Sequence, residues 1–454
     1  MPTTDELQVC VDRLAYSDQA GTIPVLAAQI KATTQNRAYY VDTLAELPNP
    51  QTTFITEGIL YYVDEIKNYV IYTGVSWEGI DGRKLDKLGA RLYAWGVNSS
   101  GQLGTGTNTN QLIVDTEVTC DNKWWHISAG VTHVTAVKSD GTLWSWGTNT
   151  SGSLGVNTAL AAYNSPVREA SSSNNWCQVS AGTDFTLALK KDNSLWGWGL
   201  NSSGQLGDGT VSSRSSPTRE VTFGNSWCAI ASGETHATAL KVDGSLWSWG
   251  NGTTGRLGDG TALSKSSPVR EASLSSNWCK ISASVGIKTD GSLWSWGQNT
   301  CGQLGDNSVI AKSSPVREIS SSTNWCDVSS TPAFTIALKK DGTMWGWGNG
   351  VCYALGNSGI TSVSSPVQEV LKSTEWCKVS AGGNSPTGIS NYGMAIKKDG
   401  SLWGWGNNST QLNCAVTNLN IVCPCRISCS TRWADVSASI TGLFTVGLNG
   451  FPNS

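Results

Sequence analysis

The feature that most constrains this chain is a tryptophan signature that returns about every fifty residues. The second Trp of the pattern Trp-X-Trp-Gly stands at Trp95, Trp146, Trp198, Trp249, Trp296, Trp347 and Trp405, at intervals of 51, 52, 51, 47, 51 and 58. Tyr93 takes the place of the first Trp in the opening copy. A second ladder, Trp125, Trp176, Trp227, Trp278, Trp325, Trp376 and Trp433, follows 28 to 30 residues behind. Each copy reads as four short strands. Leu143 to Gly147 alternates so that both Trp fall on one face. A strand opened by proline comes next, as at Pro166 to Glu169, where the missing N–H costs little. Trp176 to Ser180 and Thr186 to Lys190 supply the third and fourth. Asp-Gly pairs at Asp140, Asp243, Asp290, Asp341 and Asp399 then lead into the next copy, and that dipeptide predicts a type I′ hairpin.

Four strands repeated seven times predict a β-propeller, because helical solenoids have shorter units and no period-two alternation. The last copy ends at Phe444 to Leu448 and Asn449-Gly450 without a following Trp-X-Trp-Gly strand. The segment Leu92 to Gly96 is the one such strand with no upstream partner. Tyr93, Trp95 and Val446 are therefore expected to meet at the ring closure, which removes open sheet edges. The expected fold is all-β, a seven-bladed propeller over residues 92–454 closed by its N-terminal strand. A small α+β attachment module over 1–85 and a charged linker over 86–91 precede it.

Composition excludes several functions. The formal charge is −3 and only 14% of residues are charged, so no nucleic-acid partner is expected. No run of 18 apolar residues occurs, which argues against membrane insertion by a helix, and the opening MPTTDELQVC lacks the order of a secretory signal. Residues placed alike in every copy read as packing between blades rather than a ligand surface. That applies to the Trp ladders and to Cys177, Cys228, Cys279, Cys326 and Cys377, which share one slot. Cys423 and Cys425 fall on strand positions matching Ser314 and Val316, a reading preferred over a metal site or local disulfide with Cys414 and Cys429. His133 and His236 share a slot with Phe185 and Phe334, which points to packing. No nucleophile elbow, zinc-protease motif or phosphate loop is present, so neither enzyme activity, cofactor nor metal is expected.

The series Leu-Trp-Ser-Trp-Gly-X-Asn-X-X-Gly-Gln-Leu-Gly, Ser-Pro-Val, Val-Ser-Ala-Gly-X-X-His/Phe-Thr-X-Ala-Leu and Asp-Gly resembles the regulator of chromosome condensation repeat, over residues 92 to 450. The resemblance implies a seven-bladed propeller, a fold that serves exchange factors, ligase adaptors and inhibitors alike. Residues 1–91 do not repeat. Leu7, Val11 and Leu14 allow a short amphipathic helix, and Ile59 to Val63 with Tyr69 to Tyr72 read as a hairpin. The order Leu-Pro, Glu-Gly-X-Leu-Tyr-Tyr-Val, hairpin, Gly-X-Ser-Trp, Asp-Gly-Arg is similar to N-terminal segments of phage fibre and other virion proteins. Tyr61, Tyr62, Tyr69 and Trp77 mark that attachment module.

Loop length varies on one face of the expected disc. From the second-ladder Trp to the Asp-Gly turn, copy four has 12 residues and copy six 23, against 16 in copy five. Variable loops on a rigid scaffold are where recognition sits. Asn384, Ser385, Thr387, Asn391, Tyr392 and Tyr353 are the candidate ligand-binding residues, of a composition suited to neutral polar ligands. The leading expectation is a non-enzymatic virion structural protein, homo-oligomeric, attached to other virion proteins through residues 1–85. Its propeller would engage a host-surface receptor, a glycan being one candidate. The alternative is an intracellular protein-binding propeller, an adaptor or GTPase exchange factor.

Overall fold

In the computed structural model, residues 90–450 are described except for 117–120, 122, 384–389, 409–419, 429, 431–432 and 440–443; of residues 1–89, four strands are described. The chain divides into two compact units, Ala90–Gly450 and Met1–Gly89 with Phe451–Ser454. In the smaller unit, Tyr39–Val41 runs parallel to Leu60–Val63, which pairs antiparallel with Asn68–Tyr72, itself paired with Trp77–Gly79. Tyr62 stands opposite Tyr69, Tyr61 opposite Val70, and Trp77 opposite Tyr72. The helix expected around Leu7 lies outside the described residues.

The larger unit is seven four-stranded antiparallel sheets. Blade 2 shows the plan: inner strand Trp176–Ala181, second strand Phe185–Lys190, third strand Leu195–Gly199 and outer strand Arg214–Arg219. The inner strands of blades 1 to 7 begin at Trp124, Trp176, Trp227, Trp278, Trp325, Trp376 and Trp433, and each contacts the next around a closed ring. A blade thus begins at the Trp-Cys strand rather than at Trp-X-Trp-Gly. In consequence two N-terminal strands, not one, complete blade 7: Arg91–Gly96 and Gln111–Thr116 join Trp433–Ala438 and Phe444–Asn449. Val446 pairs with Ala94, Gly447 with Tyr93 and Thr445 with Trp95.

Two sequence assignments change. The first rung of the second ladder is Trp124, not Trp125: Trp124 pairs with Lys138 as Trp176 pairs with Lys190, and its ring packs edge-on against Trp146 at 5.8 Å. Trp125 takes the cysteine slot. The Asp-Gly turns are not type I′ either, because only the glycine has positive φ, +82° at Gly141. Gly141 N–H bonds the Lys138 carbonyl at 2.8 Å, and Thr142 pairs back to Lys138, a type I turn followed by a left-handed residue. Asp140 instead caps the turn, accepting from the Thr142 N–H at 2.9 Å and hydroxyl at 2.7 Å.

Neighbouring blades are joined by three repeated devices. Trp146, Trp198, Trp249, Trp296, Trp347 and Trp405 are completely buried, and each indole N–H reaches a loop carbonyl of the preceding blade at 2.9–3.0 Å. The Gly-Gln-Leu-Gly strings are these clasps. Gly155 needs its φ of +68°, and a Cβ there would lie 2.7 Å from Trp198 Nε1. Near the axis, Ser128, Ser180, Ser282, Ser329, Ser380 and Ser437 accept the backbone N–H of the next inner strand at 2.8–3.1 Å. Ser437 to Ala129 seals blade 7 to blade 1, and Ala231 holds the seventh slot. The third device is the buried glutamate that follows the Pro strand in blades 1 to 5, replaced by Ile427 in blade 6: Glu169 accepts from the Trp176 indole at 3.2 Å and from the Ser171 and Ser173 N–H groups at 2.5 and 2.9 Å.

Both Trp of the Trp-X-Trp-Gly strand do share a face, but they differ in role. The first is half-buried and sandwiches a lysine: Lys138, Lys190, Lys241, Lys288, Lys339 and Lys397 each hold Nζ 4.2–4.4 Å from that ring and 4.6–4.8 Å from the inner-strand Trp. The ring faces attract the ammonium while its stem covers apolar surface. Trp198→Ala is expected to cost about 3–5 kcal/mol, because it leaves a cavity and removes the indole bond to the Ser153 carbonyl, which keeps only the Thr186 hydroxyl. Ser180→Ala should cost only about 1 kcal/mol, since Ala231 shows the belt tolerates the change. Urea unfolding of the two variants beside the parent checks the contrast.

Candidate functional site

Antiparallel order puts the loops between inner and second strands on the same face as those between third and outer strands. Hydrogen bonds join them there: the Leu200 N–H meets the Asp184 carbonyl at 2.8 Å, and Thr148 meets Thr132 at 2.8 Å. Under the short inner loop, the first residue of the second strand is a buried ring, His133, Phe185, His236, Phe334, Tyr392 and Phe444 in blades 1, 2, 3, 5, 6 and 7. The glycine before it makes room, since a Cβ on Gly182 would lie 2.0 Å from the Phe185 ring. His133 Nε2 bonds Thr186 Oγ1 at 3.1 Å, and His236 Nε2 lies 3.0 Å from Ser284 Oγ. Burial lowers both imidazoles to about 4, so they are neutral packing groups at pH 7.

Blade 4 breaks this plan. Its hairpin is cut to Ala283-Ser284, and its second strand starts at Val285 opposite Ser295, two pairs later than Phe185 opposite Gly199. The plugging ring is therefore missing. The gap is a cleft open to solvent, walled by His236 and Arg256 of blade 3, Trp296 and Gln298 of blade 4, and Thr331 and Pro332 of blade 5. Arg256 is itself a departure, standing where sister loops carry Gln102, Ser153, Gln205, Gln303 and Ala354. Its guanidinium reaches Glu234 at 3.4 Å and Gln298 Oε1 at 3.0 Å. Burial raises the Glu234 carboxyl, against the pull of Arg256. The sequence shows both departures, as a 12-residue interval and as Gly-Arg-Leu-Gly, but not that they meet.

Of the loop residues singled out by sequence, Asn384, Ser385 and Thr387 lie outside the described residues. Tyr392 and Asn391 are fully buried and so form no part of a binding surface. Tyr392 is blade 6's plugging ring; its hydroxyl donates to the Phe444 carbonyl at 2.6 Å and accepts the Ser439 N–H at 3.2 Å, and burial raises its phenol. Tyr353 is half-buried in the turn Val351–Tyr353, at a φ of +63° where blade 2 has Gly204. The slot-sharing cysteines differ from the sequence reading in exposure: Cys228, Cys279, Cys326 and Cys377 are exposed, with each thiol 3.3–3.5 Å from a neighbouring-strand carbonyl. Although the residue is exposed as a whole, partial desolvation of its sulfur pushes the Cys377 thiol up to about 11, which disfavours the nucleophilic thiolate. Among the described residues no group of His, Cys, Asp and Glu is arranged to hold a metal. Cys423 is free, whereas Cys425 is disulfide-bonded, against the sequence expectation.

The slot after the cysteine carries charge on four adjacent blades. Lys280 pairs with Asp327 at 2.7 Å and Lys378 with Asp435 at 2.6 Å, each across a blade junction. Burial opposes the charge on Lys378, yet Asp435 holds its ammonium above the ordinary range.

A model of the RCC1-like domain matches residues 91–446. The chain belongs to the RCC1-like domain family. It is similar to the human E3 ubiquitin-protein ligase HERC2, 27% identical over 327 residues, which is 70% of this chain and 6% of that protein. It is 31% identical to the ultraviolet-B receptor UVR8 of Arabidopsis thaliana over 180 residues, 39% of this chain and 41% of that one. The chain thus spans less than half the length of these curated relatives. Its fold matches Prp20p from Saccharomyces cerevisiae at a TM-score of 0.68 and 18% identity, covering 80% of this chain and 93% of that one. Human WBSCR16 matches at 0.67 and 20% identity, with 79% and 99% covered.

The buried histidines give this RCC1-like ring an acid sensitivity. Their folded value near 4 lies below the ordinary 6.5, so above pH 6.5 they are neutral whether folded or not. Between 6.5 and 4 only the unfolded chain takes the protons, and stability falls by about 1.4 kcal/mol per pH unit for each histidine. Substituting both His133→Phe and His236→Phe is expected to flatten the decline in urea midpoint between pH 6.5 and 4.5. Parallel curves for parent and variant would reject the assignment.

Proposed function

We propose that this chain is a non-enzymatic protein-binding propeller, an intracellular adaptor or exchange factor that holds its partner on the face bearing the shortened hairpin. The observation that carries the reading is the cleft: two departures from the repeat, the cut hairpin and Arg256, fall in adjacent blades and meet at one place. A repeat that departs from its own pattern only where it touches something else is how such scaffolds acquire specificity. Yeast Prp20p, whose fold this chain shares, is described through its binding to Gsp1p and histones, and has been solved with Kap60 bound. Neutral buried imidazoles, raised thiols and turn-capping aspartates supply no catalytic constellation among the described residues.

A second reading rests on residues 1–91, which the family match leaves almost wholly outside. Their likeness to phage fibre segments supports an attachment role, with the propeller as the displayed receptor-binding part. Co-sedimentation of the protein with purified virus particles is the measurement that would favour it.

For the leading reading, hydrogen–deuterium exchange on the complex with a captured native partner is the test. Protection is expected at residues 233–235, 253–257, 283–285 and 331–333, all around the cleft. Protection confined to the opposite face, at the Asp-Gly turns, would refute it.

A further inference from the structure

We infer that the cleft over blade 4 is a carboxylate-binding pocket that takes an acidic side chain from a protruding loop of a protein partner, with Arg256 as its anchor. This inference rests on the protein-binding reading and names the chemistry of its partner. Arg256 is held in place but not used up. Its side chain is 18% exposed, and it spends one N–H on Glu234 at 3.4 Å and one on Gln298 at 3.0 Å. A guanidinium has five N–H donors, so three remain without a protein partner. The Glu234 contact is also longer than the 2.7–2.9 Å usual for a charge-assisted bond. A fork steadied at two corners and otherwise free is suited to a bidentate carboxylate, and Arg rather than Lys is the residue that gives such geometry.

The surroundings fit a side chain rather than a large ligand. Trp296, Val285 and Leu304 are buried apolar groups among the lining residues, matching the methylenes of Glu or Asp. Most other polar groups are already committed: Gln303 Nε2 donates to the Pro332 carbonyl at 2.7 Å, and Ser330 and Ser282 share a bond of 3.1 Å, while His236 keeps one buried ring nitrogen, Nδ1, unpaired. Arg256 is the cationic lining group with donors to spare. In the other blades with a described second strand, a buried ring occupies the place that the cut hairpin leaves open here. The arginine and the opening are thus useful only together.

The probe is an array of acetylated, amidated ten-residue peptides, each with a central Glu or Asp and a twin carrying Gln or Asn, titrated against the full chain by fluorescence anisotropy. Acidic members should bind at least tenfold more tightly than their twins. Arg256→Gln should abolish that preference while leaving the melting temperature unchanged, because Gln102, Gln205 and Gln303 already occupy the same slot. A second variant, in which residues 182–186 of blade 2 replace Ser284, should plug the cleft and also abolish it. The inference is overturned if no peptide binds, if twins bind alike, if Arg256→Gln keeps the preference, or if free succinate competes as well as the best peptide. A native partner captured equally by the parent and Arg256→Gln would leave the protein-binding reading standing and remove only the pocket. Peptides bound through Arg256 with no native partner captured would do the reverse.

Discussion

The ring depends on one contact, made in blades 1 to 6: the buried indole of the third strand donating to a loop carbonyl of the blade before it. A propeller blade cannot cover both faces of its own sheet, so its stability comes from neighbours. An indole satisfies that need with a large apolar body and a single donor that must be paired when buried. The glycine under the ring lets the two backbones approach, and the carbonyl fixes the angle between blades. Repeating that unit specifies the curvature, and the serine belt then ties the inner strands at the radius where the curvature closes.

Much of this architecture is legible in the spacing of tryptophans, because the same physical requirement recurs in every copy and leaves the same residue behind. What spacing does not show is phase. A repeat can be cut anywhere along its period, and only hydrogen-bond partners reveal that the blade begins at Trp176 rather than Trp144, or that Trp124 and not Trp125 faces inward. The turn type was hidden for a related reason: Asp-Gly serves both a type I′ turn and a type I turn with a left-handed glycine, and the choice is made by strand pairing. The serine slot and the lysine between two indoles are visible in the repeat as constants, but their purpose needs the adjoining blade.

The candidate site was half legible. Copy length pointed to two unusual loops, and polar composition favoured the long one in copy six. Tyr392 illustrates why composition misleads: a tyrosine beside a glycine-rich insertion reads as a paratope residue, yet it fills the slot of Phe185 and is covered on all sides. The short loop in copy four is the more informative departure, because removing residues from a packed repeat opens space that its neighbours were shaped to border.

Blade 7 is assembled from both ends of the propeller sequence, two strands from residues 91–116 and two from 433–449. During synthesis the opening pair emerges first and must wait some three hundred residues for its partners, with the long edge of Arg91–Gly96 unsheltered. Circularity therefore makes the most distant pairing in the chain its final step, and a nascent or truncated polypeptide carries a sticky seam that the finished molecule conceals.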